Sequence, residues 1–139
     1  MAFKALPIVG EQVNRTYTIT GAITDNDIGK PVKISGTDNV ALCSATDTIY
    51  GFINSVEVGT TGGKIVVGVV VSGRVRVILT GVVAIGAVVE AAANTAAGVV
   101  KAGAWGLIQT HTPAATDQKK WILISGAGTA GTEGVIESL

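Results

Sequence analysis

Residues 64–79 alternate more regularly than any other part of the chain. The odd positions, Ile65, Val67, Val69, Val71, Gly73, Val75, Val77 and Leu79, are apolar throughout, whereas the even positions mix Lys64, Gly68, Ser72, Arg74 and Arg76 with aliphatic residues. Successive side chains of an extended chain point to opposite faces, so this pattern predicts a strand whose odd face belongs to the core. The central Ser72-Gly73 pair leaves two readings open: one long strand bent at a bulge, or two strands joined by a tight turn.

Further strands are predicted at short intervals, separated by Gly, Asn and Asp: residues 12–20, 31–34, 40–43, 50–58, 82–84, 87–90, 98–102, 106–109, 121–125 and 134–139. Val, Ile and Thr together exceed a third of the chain, a β composition. The expected fold is all-β, a compact β-barrel or sandwich of many short strands with at most one short helix. That helix is expected at residues 112–120, where Thr112-Pro113 supplies a cap and a first helical position. The 139 residues fit one domain, with residues 1–11 as an N-terminal arm and 12–139 as the barrel. The arm shows neither strand nor helix periodicity, yet it carries Phe3, Leu6, Ile8 and Val9. These four are the candidates for docking on a neighbouring chain.

Charge narrows the functional classes. Only 14% of residues are charged, with ten basic and ten acidic side chains, against about 25% in typical soluble domains. Neutrality removes the general attraction that drives binding to nucleic acid or anionic membranes. No apolar run reaches the roughly 18–20 residues that a spanning helix needs. The excess apolar surface therefore points to burial against other protein chains. The N-terminal residues lack the apolar core of a secretory signal, which predicts a protein made and kept inside a cell.

Chemical motifs fail on inspection. Gly126, Gly128 and Gly131 spell G-x-G-x-x-G after a strand, but a dinucleotide site needs a helix, a second parallel strand and a later acidic residue, so a turn is expected. Residues 59–64 look like a phosphate-binding loop, yet Val58 stands where its first Gly belongs and Ile65 where its hydroxyl belongs, which favours a hairpin loop. Asp25-Asn26-Asp27 begins like a calcium loop but continues with Lys30 and Gly36 at the diagnostic positions, which favours a turn. His111 is the only imidazole and reads as a surface residue; Cys43, the only thiol, reads as a small buried one. No catalytic constellation, metal site or cofactor site is expected. Arg74 and Arg76 share one strand face and are solvated charges or partners in inter-subunit ion pairs.

The order of segments carries a resemblance. Ile28-Gly29-Lys30-Pro31-Val32-Lys33-Ile34, Asp38-Asn39-Val40-Ala41-Leu42, Ile49-Tyr50-Gly51-Phe52-Ile53, the valine strand through Gly73-Arg74-Val75-Arg76-Val77, Ala84-Ile85-Gly86-Ala87-Val88-Val89, Gly98-Val99-Val100-Lys101 and Trp105-Gly106-Leu107-Ile108 follow one another in order. Over residues 12–139 the chain resembles the small capsid decoration, or cement, proteins of tailed bacteriophages, with their tulip-like β-barrel core. Residues 109–120 and 126–134 depart from that pattern by their length. The resemblance implies a non-enzymatic virion protein on the exterior of an icosahedral capsid. Its implied partners are the major capsid protein and two further copies of itself in a homotrimer, with no nucleic acid, membrane or cofactor. The competing readings are a glycan- or receptor-binding module and a small trimeric β enzyme with a site shared between subunits.

Overall fold

A computed structural model describes residues 12–19, 23–58, 64–92, 106–111 and 120–138. Its strands are β1 (Gln12–Ile19), β2 (Pro31–Ile34), β3 (Val40–Leu42), β4 (Gly51–Val58), β5 (Ile65–Leu79), β6 (Val88–Ala91), β7 (Gly106–Thr110), β8 (Trp121–Gly126) and β9 (Glu133–Ser138). A 3-10 turn, Asp25–Asp27, precedes β2. The predicted arm, the strand at 98–102 and residues 112–119 of the predicted helix lie outside the described residues. Residues 82–84, predicted as a strand, belong instead to the loop between β5 and β6.

The valine run is one strand of fifteen residues, and every other part of the fold is arranged along it. Its first half pairs antiparallel with β4 and with β1, and β4 leads on through β2 to β3. Its second half pairs parallel with β7 and antiparallel with β9. Because β7, β6, β8 and β9 then pair in succession, the sheet returns to β5 and closes a five-stranded barrel. The molecule therefore has an open sheet half and a closed barrel half that share β5. Gly73 marks the change, with φ +105°, a conformation that a side chain would strain. It is a register partner of both Gln12 in β1 and Ser138 in β9.

Each half has its own apolar core. Ile19, Ile23, Val32, Val40 and Ile53 gather around Val67, Val69 and Val71 of β5. The barrel is filled by Phe52, Val83, Val89, Ile108, Trp121, Leu123 and Ile136 around Val77 and Leu79. Phe52 and Trp121 meet edge to face with ring centroids 5.1 Å apart, a geometry worth about 0.5–1.5 kcal/mol beyond area burial. The odd face of β5 is a core face in both halves, as the alternation predicts. The even position Val70 is buried as well, in the barrel core, so that Val69, Val70 and Val71 are three consecutive buried residues. There β5 runs between two cores and is covered on both faces. Its register against β1 also shifts here, stepping from Ser72 opposite Val13 to Val70 opposite Asn14.

Two backbone hydrogen bonds tie the halves together a second time. The Thr46 N–H donates to the Ala91 carbonyl (2.9 Å) and the Ala91 N–H donates to the Asp47 carbonyl (3.2 Å), which fastens the β3–β4 connection to β6.

Candidate functional site

Where β5 passes from sheet to barrel, an open cleft of about 240 Å³ forms. Phe52, Ile53 and Val70 contribute its apolar wall, while Gln12, Asn54, Arg74 and Arg76 supply polar groups around it. Gln12 Nε2 donates to the Arg74 carbonyl (2.8 Å), and Asn54 Nδ2 donates to Asn14 Oδ1 (3.3 Å), so β1 is stitched to the rim. Arg74 Nε lies 3.4 Å from Glu137 Oε2, its cross-strand partner in β9. Arg74, one of the two arginines considered for contacts between subunits, is therefore engaged within the chain. Phe3, Leu6, Ile8 and Val9 lie outside the described residues, but the polypeptide enters β1 at Gln12 on this rim.

A second cluster sits where β6 meets β7. Glu90, only 8% exposed, accepts a hydrogen bond from Gln109 Nε2 (2.7 Å) and is joined through its other oxygen to His111 Nδ1. His111 is thus a partly buried, carboxylate-paired residue and not the surface histidine that its neighbours Thr110 and Thr112 suggest. The backbone reinforces the pairing, because Glu90 lies opposite Gln109 and the His111 N–H donates to the Val88 carbonyl (2.8 Å). A carboxylate that orients an imidazole is also a component of acid–base triads, which further require a nucleophile. Cys43 is poorly suited to that part: burial, aided by the Asp47 carboxylate, pushes its thiol up to about 12 and keeps it protonated near neutrality.

Other polar groups and the turn at residues 126–131 act structurally. Asp27 accepts from the Thr24 N–H (2.9 Å) and from Lys30 Nζ (2.8 Å), closing a capping box instead of opening an ion site. Lys33 Nζ and the Ser44 N–H both donate to Asp47 Oδ2, at 2.9 and 2.7 Å. That ammonium, with the Ser44 N–H, holds the Asp47 carboxyl below its ordinary value, and Asp47 in turn raises Lys33. Tyr17 and Tyr50 are hydrogen-bonded through their hydroxyls; burial and this bond push Tyr17 up to about 12. Gly126 ends β8 and Gly128 and Gly131 lie in the turn that follows it; all three have positive φ, and the turn leads into the strand β9.

No family model and no curated protein matches the chain. Its functional surface has to be read from the residues themselves. Among the described residues no group of three His, Cys, Asp or Glu side chains could hold a metal ion, and no helix is long and apolar enough to cross a membrane. The Glu90–His111 pairing spans 21 positions and leaves one trace in the sequence, a lone carboxylate inside the apolar run of residues 87–92.

Proposed function

We propose that the protein is a non-enzymatic structural component of a phage virion, made in the host cytoplasm, that binds the outer surface of an icosahedral capsid. In this reading it acts as a homotrimer that bridges neighbouring major capsid subunits. The observation that carries the reading is the pairing of a charge-poor chain with a rigid closed barrel that leaves large aliphatic side chains exposed. Only 14% of residues are charged, while Val82 and Ile85 are 77% and 59% exposed. Apolar contacts repeated over a shell would add up by avidity even where each is weak. The segment order described above supports the same reading. A glycan-binding module would present aromatic faces, whereas among the described residues Phe52 and Trp121 are buried and Tyr17 and Tyr50 are spent on each other.

Co-sedimentation of the purified protein with expanded, undecorated capsids tests this. Saturable binding near one copy per capsid subunit, with added heat resistance of the shell, is expected. Absence of binding by folded protein would overturn the reading in favour of a receptor- or glycan-binding module. Deletion of residues 1–10 is expected to leave the barrel folded and to weaken capsid binding through loss of Phe3, Leu6, Ile8 and Val9. Unchanged binding would remove the arm from the mechanism.

A further inference from the structure

We propose that Tyr17 and Tyr50 are a site of oxidative modification, at which a one-electron oxidant couples the two phenols within one chain and fastens β1 covalently to the start of β4. They are the only tyrosines of the chain, 33 positions apart, and the fold brings them together. Their hydroxyls are hydrogen-bonded, with ring centroids 6.1 Å apart and ring planes at 76°. The ortho carbons of a phenol flank the carbon that bears the hydroxyl. Contact between the two hydroxyls therefore brings the ortho positions, where a phenoxyl radical carries unpaired electron density, toward the other ring.

The backbone holds this arrangement in place. Tyr17 lies in β1 opposite Val67 of β5, while the Tyr50 N–H donates to the Val32 carbonyl (2.9 Å) and the chain continues directly into β4. Both rings are half-buried against the core of the sheet half, so they are packed in place and still within reach of a small oxidant. Such positioning replaces a chance encounter of two radicals by a prepared one.

The chemistry closes without a further reactant. Burial and the hydroxyl bond push Tyr17 up to about 12, so near neutrality it is a neutral phenol and loses its proton together with its electron. Each phenol gives up one electron and one proton, and one ortho carbon of each ring enters the new C–C bond. The two ortho hydrogens then move to the oxygens and restore both phenols. In sum, two protons go to water and two electrons to the oxidant, such as a high-valent metal complex acting twice. Trp121 and Cys43 compete poorly: Trp121 is 1% exposed, and Cys43 is kept a protonated thiol where the thiolate is the reactive form.

Among the described residues β1 pairs with β5 alone. A bond from Tyr17 to Tyr50 would give this exposed strand a second attachment and close residues 17–50 into a loop, which restricts the unfolded chain. The inference stands apart from the capsid reading, since it needs neither a partner chain nor a shell.

Photo-oxidation of dilute protein by a ruthenium tris-bipyridyl complex, with persulfate as terminal electron acceptor, tests it. The expected product migrates as a single chain, is lighter by two hydrogen atoms, shows dityrosine fluorescence and yields a peptide joining Tyr17 to Tyr50. Its formation should be at least about tenfold faster in the folded protein than in urea, and independent of protein concentration. Tyr17→Phe and Tyr50→Phe, which keep the rings and remove one hydroxyl each, should abolish the intrachain product with an unchanged circular dichroism spectrum. The linked protein should also unfold at a higher temperature than the unlinked one. Dityrosine formed only between chains, coupling equally fast in urea, or oxygen addition at Trp or Cys without any link would overturn the proposal. An unchanged unfolding temperature of the linked chain would overturn the fastening of β1.

Discussion

The sheet half and the barrel half of this molecule share one strand yet are held by different means. The barrel closes on itself, so each of its strands is paired on both sides, and its core contains the edge-to-face Phe52–Trp121 pair. The sheet is open. It supplements an aliphatic core with polar ties at its margin: Lys30 with Asp27, Lys33 with Asp47 and Tyr17 with Tyr50. Its β1 is exposed along most of its length, as open edges in soluble proteins commonly are when polar side chains guard them against unwanted pairing. The barrel has polar ties as well, Arg74 with Glu137 and Glu90 with His111, but they join strands that are already paired on both sides.

The most drastic way to break the comparison is a charge inside the shared strand. Val69→Asp places a carboxylate at a position with no exposure and is expected to cost about 3–5 kcal/mol, enough to unfold a marginally stable domain. Because β5 serves both cores, tryptophan emission from the barrel should be lost together with the strand signal in circular dichroism. A barrel that keeps its own cooperative transition in this variant would show the halves to be independent.

Truncations within each core sharpen the contrast. Leu123→Ala in the barrel and Ile53→Ala in the sheet should each lower stability by about 2–5 kcal/mol in urea titrations. The barrel variant should lose more, since a closed wall relaxes less around a cavity. Equal losses would count against closure as the source of rigidity. Gly128→Ala should cost about 1–3 kcal/mol, because Gly128 has φ +75° and an added Cβ would stand 2.7 Å from the Val83 carbonyl oxygen. Faster hydrogen exchange at the Val83 amide would report the loosened loop.

The smallest effect belongs to the sheet margin. Asp47 is held below its ordinary value, so its contribution is fully present above about pH 4 and is lost as pH falls through the lower folded value. Lys33, raised by the same bond, contributes below its ordinary value near 10.4 and loses that contribution as pH rises through the folded one. Urea midpoints between pH 2 and 6 should therefore fall less steeply with acid in Asp47→Asn than in the wild type. Identical slopes would remove the pair from the account of stability.

Local pattern made most of the strands legible. The alternation of residues 64–79 identified the central strand and its odd core face, and the turn residues around 25–30 and 126–131 marked connections correctly. Two kinds of information were not local. The parallel pairing of β5 with β7, and the closure through β9, depend on contacts between distant segments, so barrel and sandwich remained equivalent in the sequence. Burial of Val70 on the even face likewise requires knowing that a second core lies behind the strand. The Val82-Val83-Ala84 run shows how an apolar string can mislead: only Val83 turns inward, and Gly81 and Gly86 bracket a loop. His111 reads as a surface residue for the related reason that its partner, Glu90, sits on the neighbouring strand.

The convergence of β1 and β9 on Gly73 makes one residue answer to two strands. Adjacent strands lie about 4.8 Å apart, so Gln12 and Ser138 both adjoin one residue at the waist of the molecule. Both strands run antiparallel to β5, so the first residue of one and the last residue of the other meet at a single backbone site, and a side chain forced onto Gly73 would disturb both at once.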